Sequence, residues 1–242
     1  MILVPILLQA AAPAITIAPG AGNELAAQVQ PFEESQLGEV KAAVANAMSV
    51  ACKGRPIGWG DVIYRGAVAP GSKRPTMVVG YRQTFRCLDL DLARYPHAPA
   101  DWKAAAADQA AAARRFATFF SARDSGALDQ AFAMIEPPSQ GGRAQWNSAQ
   151  QLARGLIGPK GERSITGIGW FLDPPEAPHP GIFAQLTFTA KFPGAVVYCG
   201  SMVLYRAAPD DYLIGGVRES ILPVRDKPTA ERVVEFRNQF CK

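Results

Sequence analysis

Apolar positions change their period more than once along this chain. From Glu33 to Val50, Leu37, Val40, Val44 and Met48 recur at helical spacing, and Gly54 and Pro56 close the helix that they predict. Asp61 to Val68 then alternates, with Val62, Tyr64 and Val68 on one face. After a turn rich in proline and glycine (APGSKRP), Met77 to Leu88 alternates again. That sets Val79, Tyr81, Phe85 and Cys87 on one face against Arg82, Thr84 and Arg86. Residues 32–95 thus read as a helix-plus-hairpin unit. Residues 15–31 carry no period and read as an N-terminal tail.

The proline-punctuated stretch YPHAPA, residues 95–100, is the predicted internal boundary, and residues 101–242 form the second part. Asp101 is positioned to N-cap an alanine-rich helix running to Ala122, with Phe116, Phe119 and Phe120 at its bulky end. In FFSARDSGALDQAFAMIEP, residues 119–137, that helix stops and another starts within a few residues. Gly126 can adopt the left-handed conformation that ends a helix. Leu128, Ala131, Phe132 and Ile135 then recur at i, i+3, i+4 and i+7, predicting a short helix folded back on the first, stopped by Pro137-Pro138. A further helix is expected over Arg143–Ile157, with Trp146, Leu152 and Leu156 inward. The period then falls to 2. Ile165–Leu172, Phe183–Phe192, Val196–Arg206 and Tyr212–Ile221 read as an antiparallel meander, and Pro228 opens a last helix ending near Cys241. Helices first and a meander afterwards make the class α+β, with helices packed on an antiparallel sheet.

Composition narrows the function classes. Hydrophobic residues make up 48% and charged residues 19%, which is globular rather than disordered. The net charge of +4 is small and dispersed. Lys73-Arg74 and Arg114-Arg115 are pairs without interleaved aromatics, so nucleic-acid binding is set aside. The apolar run Ile2–Leu8 is shorter than the roughly 20 residues that span a bilayer. With the small residues after it, it reads as a signal peptide over residues 1–14. Pro13 disfavours cleavage directly after Ala12 and leaves Ala14 as the cleavage site. The expected location is periplasmic or secreted, with no integral membrane span.

Four cysteines in an exported chain favour two disulfides. Their spacing matches no Cys-x-x-Cys zinc site, and no metal or cofactor is expected. Three connectivities are open to four cysteines. The placement of the elements favours Cys52 with Cys87, at the end of the first helix and on the apolar face of the hairpin strand. It then pairs Cys199, in the middle of a strand, with Cys241, which ties down the terminal helix.

From about Ala111 to Ile221 the chain resembles the domain of unknown function 4019 family. The likeness rests on Asp124, Gly126, Leu128, Phe132 and Pro137, on Arg143 and Trp146, on Arg154 through Gly158 to Arg163, and on the strand YLIGGVRESI. Leu128, Phe132 and Tyr212 stand where the family usually has tyrosine, tryptophan and tryptophan. The order of elements is also similar to the nuclear-transport-factor-like fold shared with ketosteroid isomerases. That resemblance implies a curved, cone-like sheet wrapped by helices around a pocket.

Chemistry is sparse. His97 and His179 both lie in proline-rich loops and read as solvated loop residues. Asp89 and Asp91 read as exposed strand-end charges, Asp124 and Asp129 as helix caps, and Gly167-Ile168-Gly169 as a bend in a strand. No catalytic residue is assigned. Tyr198 is the best candidate to face an apolar pocket, with Trp146 and Arg154 as neighbours in a ligand-binding set. The favoured reading is a non-enzymatic envelope protein that binds a small apolar ligand or an envelope partner. The alternative is a small pocket enzyme of isomerase or dehydratase type, which would want a carboxylate in an apolar cavity.

Overall fold

The computed structural model describes residues 13–20, 24–68, 75–137, 140, 142–158 and 161–241. Most of the predicted leader, the turn at 69–74 and Pro138 lie outside them. The described residues form five helices and two antiparallel sheets, divided into two compact units, Met1–Leu90 and Asp91–Lys242. No helix among the described residues is long and apolar enough to cross a membrane.

In the first unit α1 (Leu37–Ala51) buries Val40, Val44 and Met48, the stripe expected of it. These side chains pack against Ala27, Val29, Phe32, Val78, Tyr81 and Phe85. The sheet is larger than a hairpin. Besides β4 (Ile57–Val68) and β5 (Pro75–Cys87) it holds β1 (Ile15–Pro19), β2 (Leu25–Val29) and the short β3 (Phe32–Glu33). The segment expected to be a tail is therefore structured, because β2 pairs with β5 and buries Ala26, Ala27 and Val29. Short runs with small residues hide this from a periodicity argument. Val79 also differs from expectation. It is exposed while Val78 is buried, since the β4–β5 register skips a residue between Arg65↔Gly80 and Gly66↔Val78, and the bulge moves Val79 to the other face.

In the second unit the sheet runs β6-β7-β8-β9 in chain order, each strand antiparallel to the next. The strands are β6 (Glu162–Leu172), β7 (Ile182–Lys191), β8 (Ala195–Ala208) and β9 (Asp211–Pro223). Their inward residues Leu186, Phe188, Met202 and Leu204 meet Phe116, Phe119 and Phe120 of α2 (Ala106–Ser125) in one core. Phe116, Phe120 and Phe188 stack edge to face with centroids 4.7–5.3 Å apart. The Gly167 region is a β-bulge, with the register shifting between Ile165 and Gly167.

Two helix details depart from expectation. Asp101 caps nothing, because α2 begins at Ala106; Trp102 packs on Trp170, 5.2 Å between rings, and the segment before the helix stays non-helical. The carboxylate that serves the helix start is Asp108, which accepts from the Ala105 N–H and pairs with Arg206. In α4 (Arg143–Ile157) Leu152 is 72% exposed, while Ile157 is buried. Six residues at about 100° each turn Leu152 about 120° around the helix from Trp146, off the inward face. In the short α3 (Leu128–Ala133), Leu128 and Ala131 are buried while Phe132 is half-buried against Trp146.

Both disulfides are those the placement of elements favours, Cys52–Cys87 and Cys199–Cys241. The second ties α5 (Ala230–Phe240) to β8, where Phe236 packs against Val197 and Leu222. The closed loops span 35 and 42 residues, so losing either bridge should lower stability by about 3 to 4 kcal/mol in the chain-entropy account. Non-reducing peptide mapping checks the pairing, and denaturation of Cys199→Ser/Cys241→Ser checks the magnitude. A peptide joining Cys87 to Cys199 would contradict both.

Candidate functional site

Four elements of the second unit meet where α2 ends. Gly126 takes φ +88° and its N–H closes on the Arg123 carbonyl, which stops the helix and leaves Arg123 and Asp124 in its last turn. From the sheet come Arg163 of β6, Tyr198 of β8 and Glu219 of β9. Glu219 stands opposite Gly200, and Gly200 stands opposite Phe188. A Cβ at Gly200 would lie 2.8 Å from the Phe188 ring, so the missing side chain is what admits that ring beside the site.

The five side chains form one closed network. Arg123, 1% exposed, donates to both Glu219 oxygens at 2.6 and 3.0 Å and to the Tyr198 hydroxyl at 3.1 Å. Arg163 donates to the same hydroxyl at 3.0 Å and to both oxygens of Asp124. Tyr198 donates its own proton to Glu219. The guanidinium of Arg163 lies 4.1 Å over the Phe120 ring and 4.6 Å over Phe192. Forked guanidiniums suit this task because each serves a carboxylate and a neighbour in one plane.

The electrostatics follow from burial and pairing. Burial would depress the Arg123 guanidinium, but the charge and hydrogen bonds of Glu219 outweigh it and hold its pKa raised. Burial first, then the Glu219 charge, pushes the Tyr198 phenol up to about 12 against the pull of the two arginines. Near neutral pH Tyr198 is therefore a fixed hydrogen-bond donor and a poor proton-transfer group.

Two clefts flank the network and share Asp124 and Gly161. One, of about 520 Å³, runs along Ala113, Ala117 and Phe120 to Arg163. The other, of about 470 Å³, is bounded by Gln151, Arg154 and Gly155 of α4 and by Ile157 and Phe192. Arg154 has no hydrogen-bond or ion-pair partner among the described residues, and its Nη1 lies 3.0 Å from where a Cβ on Gly126 would be.

Of the residues singled out from sequence, Tyr198 sits in the network and Arg154 on the cleft beside it. Trp146 packs instead on Phe119 and Phe132. Asp124, read from sequence as a cap, is ion-paired with Arg163 and Arg123. Arg123, Arg163 and Glu219 went unpredicted; their signal was faint, charged residues at inward positions of elements otherwise apolar on that side.

His179 corrects another expectation. It is buried, not solvated. Its Nε2 is 2.5 Å from Glu136, and its Nδ1 is 2.7 Å from the Pro180 carbonyl, which can only accept. The ring stacks 3.7 Å from Tyr95 and meets Tyr205 edge-on. Proline-rich flanks suggested solvent, yet this loop folds inward because Glu136 offers a buried partner. His97 is exposed and bonds Asp173 at 2.9 Å.

No protein-family model matches the chain, and no curated protein or solved structure is significantly similar to it.

Removing one partner of a buried pair strands the other. Arg123→Met should lower stability by about 3 to 5 kcal/mol, and adding Glu219→Leu should restore part of that loss, measured by chemical denaturation. The tyrosines offer an independent check. Tyr198 and Tyr212 are both pushed to about 12, so ultraviolet titration should show a late step that shrinks in Tyr198→Phe. A phenol whose folded pKa is raised stabilises fully below the unfolded value, about 10. That stabilisation should fall as pH rises from there through about 12.

Proposed function

We propose that the chain is an exported envelope protein whose second unit is a non-enzymatic binding module. It takes a small, largely apolar ligand, or an apolar side chain of an envelope partner, into the cleft beside Asp124. One observation carries this reading. The carboxylates and the phenol of the site are bound by two guanidiniums, while beside them lies an open cleft of about 470 Å³ bordered by Gly155, Gly158 and the edges of the buried Phe192 and Ile157. Groups held this way make a rigid rim rather than an acid–base pair. Two disulfides support export into an oxidising, periplasmic compartment. Three helices followed by a four-stranded meander support the nuclear-transport-factor-like, cone-shaped reading and the likeness to the domain of unknown function 4019 family. No metal, cofactor or nucleic acid enters this reading.

The isomerase or dehydratase alternative rests on Asp124, whose carboxylate borders both clefts. It requires Asp124 to act while two arginines hold it.

Gly155 provides the test. It lies in α4 on the cleft, and a Cβ there meets nothing within 4 Å. Gly155→Trp should fill the cleft without unfolding the chain, since replacing a helical glycine favours the helix by several tenths of a kcal/mol. N-phenyl-1-naphthylamine, a neutral apolar fluorophore, should bind the wild type saturably and the variant at least ten times more weakly. Equal binding by both proteins refutes the cleft as the site. Export is tested separately, by N-terminal sequencing of the native protein; a chain still starting at Met1 contradicts it.

A further inference from the structure

The face of the second sheet turned away from α2 carries a cleft of another kind. Side chains alternate along a strand, so Arg218 and Ser220 point away from Glu219, which meets Arg123 of α2. The register sets Thr187, Ser201 and Arg218 side by side across β7, β8 and β9. Thr166 of β6 extends that row, its hydroxyl 3.0 Å from that of Thr187. In the next row Thr189 and Ser220 flank Cys199, whose disulfide draws the end of α5 onto this face. There Gln239 and Phe240 help to close a cleft of about 270 Å³. The Phe240 ring is held 4.7 Å from that of Phe236 and remains exposed. Among the described residues, the side chains of Ser201, Arg218, Ser220 and Gln239 have no hydrogen bond or ion pair, and no carboxylate lines the cleft.

We infer that this cleft binds one acidic sugar residue, a ring of hydroxyls bearing a single carboxylate. Serine and threonine hydroxyls and the glutamine amide each donate and accept, which matches groups that do the same. A sugar presents several such groups within the width of one ring; a lipid tail presents none. The guanidinium of Arg218 offers a carboxylate two parallel N–H groups in a planar fork, and an arginine keeps its charge at any ordinary pH. Phe240 gives the C–H face of the ring an apolar wall. The volume lies at the small end of the roughly 300–1,000 Å³ usual for ligand clefts, which suits one ring rather than a chain. This cleft shares no lining residue with those beside Asp124, so the two readings stand or fall separately.

Titration of the isotope-labelled full chain with glucuronate, glucose and acetate, followed by its amide resonances, separates the contributions. Glucuronate should bind saturably, at least fivefold more tightly than glucose or acetate, and should shift the amides of Ser201, Ser220 and Gln239. Arg218→Gln removes an exposed side chain without partners, so the fold should stay intact while glucuronate affinity falls to that of glucose. Ser201→Ala/Ser220→Ala should weaken both sugars and leave acetate unchanged. Glucose that binds as tightly as glucuronate, or an Arg218→Gln protein that holds glucuronate unchanged, overturns recognition of the acid. Acetate as tight as glucuronate overturns the sugar and leaves a bare anion contact. If no probe gives a saturable shift at these residues, the site itself is refuted.

Discussion

Arg123 carries a full charge at a place where water does not reach it, and its neighbours are arranged by that fact. A guanidinium at 1% exposure is tolerable only when its charge is met within the protein, and here both Nη groups find acceptors while Nε has only the Asp124 charge nearby. Glu219 meets the charge from β9, Tyr198 supplies a hydroxyl from β8, and Asp124 lies 3.5 Å away one residue along the helix. Those groups bring Arg163 in from β6. The end of α2 is thus bound to three of the four strands by polar contacts, while its phenylalanines bind it to the sheet by area. The apolar core sets how closely helix and sheet approach; the ionic network sets the register at which they stop.

A second buried pair works in the same way at another place in the unit. Glu136 follows Ile135, which bridges in parallel to Ile214 of β9, and its backbone N–H bonds the Ile214 carbonyl. Its carboxylate holds His179 from the loop between β6 and β7. Tyr95 closes over the imidazole, so the segment before α2 is drawn onto the same bolt. Loops that would otherwise be punctuation are fastened by one buried hydrogen bond and a stack of rings.

Much of this architecture was legible in the sequence, because strong periods survive packing. The stripe of α1, the stop at Gly126 and the alternation of β7 all follow from spacing alone, and the cysteines fell to the elements that carry them. What was illegible has physical causes. β1 and β2 are short; β2 is a strand because β5 supplies a partner, which is a long-range fact, and β1 then pairs with β2. Val79 changed face through a single extra residue in a ladder, something alternation cannot register. The site was half legible. Tyr198 and Arg154 stood out as residue types in plausible places. Arg123 and Glu219 are separated by 96 residues and become a pair only when the sheet closes beneath the helix.

Each disulfide lies wholly inside one unit, and this bears on the order in which the chain can mature. A polypeptide emerging amino end first presents Cys52 and Cys87 well before Cys199 has appeared. The first bridge can close when no wrong partner exists, and it withdraws two of the four thiols from exchange. Cys199 then waits for Cys241, 42 residues further on, so the second bridge forms only after α5 is out. Oxidation here is sequential by geometry, with the three conceivable pairings reduced to one by the direction of synthesis, and the closing of Cys199 with Cys241 marks the docking of α5 on β8.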